Sequence, residues 1–342
     1  MPRKRSDKQL SLRQLERMRV ARVSRNARVS GEDPSLEPGG GAGEPGQEES
    51  GRVVSHFGLN VEVEDQEGKR YRCAVREAML DEPVCGDRVV WRRVGENQGV
   101  IVALEERLSL LRRPGPYSRL LTVAANVDRI VVVAAGGNLN TGLLDRYLAA
   151  AHKAGIPPIV VINKIDRVVD PEGEALALAP YPRMGYDLFR VSALSGEGLE
   201  PLEAALQGLT SVFVGESGVG KSSLVGCWIQ DEILKTAAVH AGTGQGRHAT
   251  TTARLYRLPR GGWLIDSPGV REFGLHGIVR EEVPGLFRDM VPHLGRCRFS
   301  DCRHQREPGC ALRLAVERGE IAEARLTSMF RIMESVAPKN PF

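Results

Sequence analysis

The chain has 342 residues, of which 42% are hydrophobic and 26% charged, with 47 Lys and Arg against 43 Asp and Glu. This length and composition predict a globular protein of two or three domains, and the formal net charge of +4 excludes a chain that is basic throughout. No apolar run reaches the roughly 18 residues of a membrane helix, and no apolar stretch follows the basic N-terminus. We therefore expect a cytoplasmic protein without a membrane span, in which the cysteines stay reduced.

The first 50 residues divide into a basic arm and an acidic linker. Residues 1–30 contain ten Lys or Arg and two acids, whereas residues 31–50 contain six acids, no base, six Gly and three Pro. Such a linker buries too little apolar surface to offset the entropy lost on ordering, so we predict that residues 1–50 are disordered. Two interpretations of the arm stay open, a solvated tail or a segment that contacts nucleic-acid phosphates.

Residues 51–113 are predicted to form a small β-barrel. Five short segments either alternate polar and apolar residues or cluster β-branched ones, and turn signals separate them. Five strands in about sixty residues suit an OB-fold, which binds oligonucleotides on one face. The alternative is a barrel that binds protein or only packs against its neighbour. The predicted strands are 52–56, 60–64, 69–73, 87–91 and 99–103.

The pattern changes in residues 118–282, where short apolar strands alternate with helices. This alternation is typical of a mostly parallel sheet with helices on both faces, so the chain as a whole is predicted to be a multidomain α/β protein. The helices include 143–154 and 221–230. The predicted strands are 129–134, 158–162, 188–191, 210–214 and 263–265.

A phosphate-binding loop is predicted between one of these strands and the helix that follows it. Its sequence, Gly215-Glu-Ser-Gly-Val-Gly-Lys-Ser-Ser223, matches the pattern G-x-x-x-x-G-K-[ST]. Backbone N–H groups and the helix N-terminus would surround phosphate oxygens. Lys221 would reach the β and γ phosphates as a catalytic group, and Ser222 would bind Mg²⁺. The expected phosphate contacts are Gly215, Glu216, Ser217, Gly218, Val219, Gly220, Lys221, Ser222 and Ser223.

Two further motifs indicate guanine as the base. Asn163-Lys-Ile-Asp166 follows a predicted strand, and a carboxylate at Asp166 can accept hydrogen bonds from the N1–H and the exocyclic amine of guanine. Adenine offers neither donor there, so it would leave the carboxylate unpaired. Ser192-Ala193 follows the next strand and would bring a backbone N–H to guanine O6. The expected base contacts are Asn163, Lys164, Ile165, Asp166, Ser192 and Ala193.

The γ-phosphate side of this site is predicted to lie in two later segments. Asp266-Ser-Pro-Gly269 ends a predicted strand, where Asp266 would hold Mg²⁺ and the Gly269 N–H would approach the γ-phosphate. Residues 242–252 are rich in Gly and Thr, which predicts a mobile switch that GTP orders and hydrolysis releases. One of Thr250, Thr251 and Thr252 would bind Mg²⁺. Together the four motifs predict that the chain binds and hydrolyses GTP.

The order of the motifs is circularly permuted. In conventional GTPases the P-loop comes first, whereas here the Asn163–Asp166 and Ser192-Ala193 motifs precede it. The site survives this change because each motif depends on the position of its strand in the sheet. Val270 stands where many GTPases place the glutamine that orients the attacking water. His248 either positions that water or only packs its loop or binds RNA.

Residues 283–342 are predicted to hold a structural Zn²⁺ ion and to end in an amphipathic helix over about 310–336. Cys297, Cys302, His304 and Cys310 follow the spacing C-x4-C-x-H-x5-C. Three thiolates and one imidazole complete a tetrahedral zinc shell with no open position, and the metal would stabilise a module this short. Four arginines flank these ligands and suit phosphate contacts, although a solvated surface also accounts for them. They are Arg296, Arg298, Arg303 and Arg306.

These features together resemble the bacterial small-ribosomal-subunit biogenesis GTPases of the RsgA (YjeQ) type, over about residues 51–340. The resemblance implies an OB-fold, a permuted GTPase domain and a zinc finger. It further implies a factor that acts late in small-subunit assembly near the decoding centre, with GTPase activity stimulated by that subunit.

The same resemblance assigns roles to residues. It places the family's GTP contacts on 163–166 and 215–223, its zinc ligands on the three cysteines and His304, and its proposed catalytic histidine on His248. Ala249 departs from the His-Thr-Thr-Thr of many relatives, which leaves the Mg²⁺ ligand open between Thr250 and Thr251.

We therefore expect a monomeric, cytoplasmic GTP hydrolase with one structural Zn²⁺ per chain and Mg²⁺ bound with GTP. Its partners would be the small ribosomal subunit, 16S rRNA and GTP or GDP, and no membrane. Two alternatives stay open. One is a GTP-sensing module whose hydrolysis is incidental, which the valine at 270 permits. The other is a signalling GTPase with protein partners, which leaves the barrel and the zinc finger without a role.

Overall fold

The computed structural model describes residues 47–57, 60–75, 79, 81–115, 120–229, 253–266 and 273–336. Residues 1–46, which hold the predicted basic arm and most of the predicted linker, lie outside the described residues. None of the helices in the described ranges has the length and hydrophobicity that crossing a membrane requires.

The N-terminal strands close into the predicted five-stranded barrel. The order is β1-β2-β3-β5-β4, and β4 pairs back with β1 in antiparallel register from Glu48↔Arg92 to Arg52↔Arg88. The barrel prediction is confirmed, with one correction. β1 begins at Glu48, so the last three residues of the predicted linker form strand instead. The strands are β1 (Glu48–Phe57), β2 (Asn60–Glu64), β3 (Arg70–Val75), β4 (Arg88–Arg93) and β5 (Gln98–Leu104).

The barrel interior is built around the indole of Trp91. Trp91 and Tyr71 are fully buried, with ring centroids 4.6 Å apart. Glycine is required beside them, because a Cβ at Gly99 would lie 2.6 Å from the Trp91 ring and one at Gly51 would lie 2.8 Å from its Nε1. Valines at alternate positions of β1 and β2 complete this core, as the two-residue period of a half-buried strand predicts.

A two-stranded hairpin that the sequence pattern did not predict follows the barrel. It consists of β6 (Leu110–Pro114) and β7 (Leu120–Ala125) in antiparallel pairing. Cys85 of the barrel bridges to Ala124, and the Ala125 N–H donates to the Cys85 carbonyl at 3.0 Å. The hairpin therefore links the barrel to the sheet that follows.

The central sheet confirms the predicted parallel architecture. Its order is β10-β9-β8-β11-β13-β12, in which the first five strands are parallel and β12 runs antiparallel to β13. The short strand β12 was not predicted. The strands are β8 (Arg129–Ala135), β9 (Pro158–Asn163), β10 (Leu188–Arg190), β11 (Thr210–Val214), β12 (Arg254–Arg257) and β13 (Trp263–Asp266).

Helices cover both faces of this sheet. Alternate residues of the strands enter two separate apolar clusters, one with Leu144 and Leu148 of α1 and the other with Leu202 of α4 and Leu224 of α5. Both faces are thereby buried, as parallel sheets require. The helices are α1 (Thr141–Lys153), α2 (Pro171–Leu178), α3 (Pro180–Arg183), α4 (Leu199–Leu206) and α5 over residues 221–229.

The barrel and the central sheet are hydrogen-bonded into one continuous sheet. β12 pairs with β1 through Ser55↔Arg254, so that β12 joins an antiparallel barrel to a parallel sheet. Ion pairs reinforce the junction, since Arg257 Nη2 lies 2.6 Å from Glu64 Oε1 and the Arg52 guanidinium lies over the Trp263 ring at 5.1 Å.

The C-terminal segment packs on the α1 face of the sheet. It contains two 3₁₀ helices, Arg280–Leu286 and Val291–His293, then α6 (Ala311–Glu317) and α7 (Glu323–Ser335). The single helix predicted over about 310–336 is therefore wrong. Gly319 adopts φ +73° just after α6, a left-handed conformation that ends the helix. Leu312 of α6 and Met329 of α7 are fully buried in the cluster that holds Leu144.

Candidate functional site

The P-loop lies at the carboxyl end of β11, at the start of α5. Gly215 has φ +145°, and a Cβ there would lie 2.2 Å from the Val133 carbonyl oxygen, so only glycine fits. Lys221 Nζ donates to the carbonyl oxygens of Gly215, at 2.8 Å, and Glu216, at 2.6 Å. The ammonium is thereby held over the loop, where phosphate charge would be placed.

Asn163 ties the P-loop to the predicted base-binding loops. Its side chain is 1% exposed, with Nδ2 donating to the Val219 carbonyl at 2.9 Å and Oδ1 accepting from the Ala193 N–H at 3.1 Å. Gly220 lies against this amide, since a Cβ there would come within 2.3 Å of Asn163 Nδ2. One buried amide therefore fixes two loops that are 30 and 56 residues away in the chain.

Asp166 is held by a residue whose side chain had no predicted role. Ser192 is fully buried, and its Oγ donates to Asp166 Oδ1 at 2.6 Å, which orients the carboxylate. The sequence analysis considered only the backbone N–H of this motif. A serine at the end of a parallel strand, opposite an aspartate at the end of the next strand, is the signal that could have indicated the bond.

Lys164 and Ile165 complete this loop. Lys164 adopts φ +65°, and its Nζ donates to the Gly218 carbonyl, so its stem lies between the base-binding loop and the P-loop. The Ile165 N–H donates to the Val191 carbonyl at 3.3 Å. The structure thus brings the predicted base contacts and the P-loop to one edge of the sheet.

The predicted magnesium ligands are described only in part. Ser222 and Ser223 are exposed in the first turn of α5, and Asp266 ends β13 with its side chain exposed. β13 is parallel to β11, so Asp266 and the P-loop lie at the same edge. The predictions for His248, Thr250, Thr251 and Gly269 fall outside the described residues.

A cavity of about 340 Å³ opens beside the P-loop, on the side away from α5. The loop after β8 and the first turns of α1 form its wall, with Asn138, Asn140 and Tyr147 facing Glu216 of the P-loop. No motif in the sequence indicated these residues. They place α1 in direct contact with the phosphate side of the site.

The four predicted zinc ligands converge on one point. The Sγ atoms of Cys297, Cys302 and Cys310 lie 3.4, 3.7 and 3.6 Å from His304 Nδ1, and all four ligand atoms lie within 4.8 Å of one another. Zn–S bonds of 2.3 Å and Zn–N bonds near 2.0 Å at tetrahedral angles place sulfur and nitrogen about 3.6 Å apart. The donor set and its spacing therefore fit a zinc ion bound through Nδ1.

The surrounding backbone supports these ligands. His304 adopts φ +62°, and its N–H points to Cys302 Sγ at 3.4 Å, while the Ala311 N–H points to Cys297 Sγ at 3.3 Å. Such N–H groups stabilise thiolate charge. Partial burial lowers the pKa of His304 below its usual value, which favours the neutral imidazole that binds a metal.

Comparison with known proteins places these features in one family. A family model described as RsgA GTPase matches residues 104–276. The small ribosomal subunit biogenesis GTPase RsgA of Azotobacter vinelandii is 46% identical over 336 residues, which cover 96% of this chain and 98% of that protein. The protein of the same name from Pseudomonas fluorescens is 45% identical over 342 residues, covering 98% and 99%.

Solved structures show the same architecture. YjeQ from Thermotoga maritima superposes with a TM-score of 0.70 at 30% identity, covering 86% of this chain and all of that one. YloQ, described as a circularly permuted GTPase, superposes with a TM-score of 0.68 at 26% identity, covering 86% and 98%. The permuted order of the motifs, the barrel and the Cys/His cluster thus have counterparts over nearly the whole length. The chain therefore belongs to the RsgA GTPase family.

Proposed function

We propose that this chain binds the small ribosomal subunit and hydrolyses GTP to GDP and phosphate during late subunit maturation. Contact with the subunit stimulates hydrolysis, and hydrolysis releases the protein from 16S rRNA. The relatives described above carry the name of small ribosomal subunit biogenesis GTPase, which supports this partner. The protein acts as a monomer in the cytoplasm.

The observation that carries the proposal is the buried Asn163 amide, which holds the P-loop and the Asp166–Ser192 pair in one frame. In that frame Asp166 accepts from guanine N1–H and the exocyclic amine, and the Ala193 loop faces O6. The stem of Lys164 lies along the base. Gly215–Ser223 surround the phosphates, with Lys221 on the β and γ oxygens.

Magnesium completes the nucleotide site in this proposal. Ser222 and one threonine, Thr250 or Thr251, bind Mg²⁺ with Asp266, and the Gly269 N–H approaches the γ-phosphate. His248 positions the attacking water, because the valine at 270 cannot do so. GTP thereby orders the segment 242–252, and hydrolysis releases it.

The proposal divides the chain into three working parts. Residues 51–113, extended back to Glu48 by the strand pairing, form an rRNA-binding OB-fold. Residues 118–282 hold the nucleotide, and residues 283–342 hold one structural Zn²⁺ on the three cysteines and His304. Residues 1–30 provide additional phosphate contacts.

A single-turnover experiment tests the activity. GTP hydrolysis is measured with and without purified small ribosomal subunits, with large subunits and ATP as controls. We expect acceleration by small subunits with GTP alone. His248→Ala should remove most of this acceleration, whereas His240→Ala, a histidine outside the motifs, should not.

Three outcomes separate the alternatives. No acceleration by small subunits overturns the proposed function and favours a GTP-sensing module. Acceleration that persists in His248→Ala removes only the proposed role of that histidine. Zinc analysis tests the third part, since the wild type should bind one Zn²⁺ per chain and Cys297→Ala should lose it.

A further inference from the structure

Phe299 is an aromatic side chain in an unusual environment. Its side chain is 42% exposed, and it is the one exposed Phe, Tyr or Trp ring in the part of the chain whose burial the structure describes. The other described aromatic rings lie partly or fully within the apolar clusters, where a large ring contributes most to stability. The exposure of this ring therefore has no explanation in folding.

The ring is held in a rigid position by the metal-binding turn. Phe299 lies between Cys297 and Cys302, and its carbonyl accepts the Cys302 N–H at 3.3 Å. The preceding residue is fixed as well, because the Arg298 N–H donates to the Gly309 carbonyl at 3.1 Å. The Arg298 guanidinium lies 5.5 Å from the ring centroid. A rigid aromatic surface loses little conformational entropy when a ligand covers it.

The charge around the ring is positive. Arg296, Arg298, Arg303 and Arg306 are exposed, and within the described residues none of these side chains forms an ion pair. The acid nearest to Arg306, Glu307, is committed to the backbone, since its carboxylate accepts the N–H groups of Arg303 at 3.1 Å and Arg306 at 3.0 Å. With Asp301 as the other acid, residues 296–310 keep two positive charges in excess.

We infer that Phe299 stacks on an unpaired base of RNA while the surrounding guanidiniums contact the flanking phosphates. A bare aromatic ring among uncommitted arginines matches single-stranded RNA, whose bases are open for stacking. Duplex RNA hides its base faces and would engage only the arginines. This inference rests on the proposed function, and it adds a recognition residue and a preference for unpaired nucleotides.

The test uses the full-length, zinc-loaded chain and two fluorescently labelled probes, an unstructured 12-nucleotide RNA and the blunt duplex of the same sequence. Phe299→Ala should weaken binding to the single strand about 5- to 150-fold and leave the duplex affinity unchanged. Phe299→Trp should retain or tighten single-strand binding. The salt dependence of binding should not change in either variant, because no charge is removed.

Two matched variants complete the design. Leu314→Ala removes another exposed apolar side chain, 38% exposed on α6, and should affect neither probe. Arg303→Ala should weaken both probes and reduce the salt slope, as expected for a phosphate contact. Zinc content confirms that each variant keeps the turn, and Phe299→Leu replaces the alanine variant if that one loses metal.

Several results would overturn the inference. They are equal loss on both probes in a zinc-loaded variant, no loss on the single strand, or a wild-type chain that binds neither probe. The proposed function is judged separately, by the acceleration of GTP hydrolysis with small subunits. An accelerated wild type together with an unaffected Phe299→Ala variant would therefore reject the stacking role alone.

Discussion

Guanine selection depends on one carboxylate, and Ser192 holds it in place through the 2.6 Å bond to Asp166 Oδ1. Asp166→Asn replaces one acceptor by an amide donor, which faces the exocyclic amine of guanine. We expect affinity for GTP to fall about 10²- to 10⁴-fold, because two charge-assisted bonds are lost. Xanthosine triphosphate, which carries a carbonyl at that position, should bind the variant better than GTP does.

Competition binding with the two nucleotides measures this change. Ser192→Ala is the matched control, since it loosens the carboxylate without changing its chemistry. It should weaken GTP binding without altering the preference for guanine. An Asp166→Asn chain that still prefers GTP over xanthosine triphosphate would show that the carboxylate does not face the base.

A buried histidine makes stability depend on pH. His152 lies 2.7 Å from the Tyr186 hydroxyl, and burial, with smaller effects of Arg288 and Arg325, lowers its pKa to about 4. The unfolded chain takes up this proton near pH 6.5, whereas the folded chain does so only near pH 4. The contribution of the neutral ring is therefore complete above pH 6.5 and is lost as the pH falls toward 4.

We expect His152 alone to reduce the free energy of unfolding by about 2 kcal/mol between pH 7 and pH 5. Urea denaturation of the wild type and of His152→Gln over this range measures the difference. The variant should lose less stability on acidification, because glutamine does not titrate. Parallel pH profiles for the two chains would contradict the assignment.

At the scale of elements, predictability follows the range of the interactions that stabilise each element. β8 and β9 are continuous apolar runs buried on both faces, so they were recognisable from composition. β12 is only four residues long with arginine at both ends, and its pairing partners, β13 and the barrel strand β1, supply its stability. Such partners are far away in sequence and leave no local pattern.

The same reasoning applies to side chains in the site. The P-loop and the Asn163–Asp166 motif could be predicted because their chemistry is written in consecutive residues. The bond from Ser192 to Asp166 spans 26 residues, and the break between α6 and α7 depends on a single left-handed glycine within a continuous apolar pattern. Local spacing therefore indicated which residues meet the ligand, but not what holds them.

The docking of α7 onto α1 is a long-range feature of this kind, and it depends on a buried arginine. Arg325 is 3% exposed, and its Nε and Nη2 donate to both oxygens of Asp289 at 3.0 and 2.8 Å. Its Nη1 donates to Asp145 of α1. Arg325→Met would leave two buried carboxylates without their cation, so we expect a loss of about 3–5 kcal/mol in the free energy of unfolding.

Arg331→Met is the matched control for this prediction, because Arg331 is exposed on the same helix. Urea denaturation should show a change within about 0.5 kcal/mol for that variant. A loss below about 1 kcal/mol in Arg325→Met would mean that the apolar contacts of α7 hold the C-terminal segment without the arginine.

At the scale of the whole molecule, the hairpin β12–β13 connects the nucleotide site to the barrel. β12 begins two residues after the predicted switch segment 242–252, and β13 ends at Asp266 of the second motif. The outer strand of this hairpin pairs with β1, and its Arg257 lies 2.6 Å from Glu64 of the barrel. Any shift of the two segments that depends on nucleotide is therefore transmitted to the strand on which the barrel is docked.

Breaking this junction should uncouple the barrel from hydrolysis. Arg257→Met removes the ion pair but leaves Glu64 paired with Arg70 at 3.1 Å, so the barrel keeps its fold. We expect intrinsic GTP hydrolysis and GTP affinity to stay at wild-type values while stimulation by small ribosomal subunits falls about fivefold or more. Arg260→Met is the control, because Arg260 follows the same strand but pairs with Glu200 of α4 at 2.8 Å. Equal stimulation in both variants would show that the barrel binds the subunit without sensing the nucleotide.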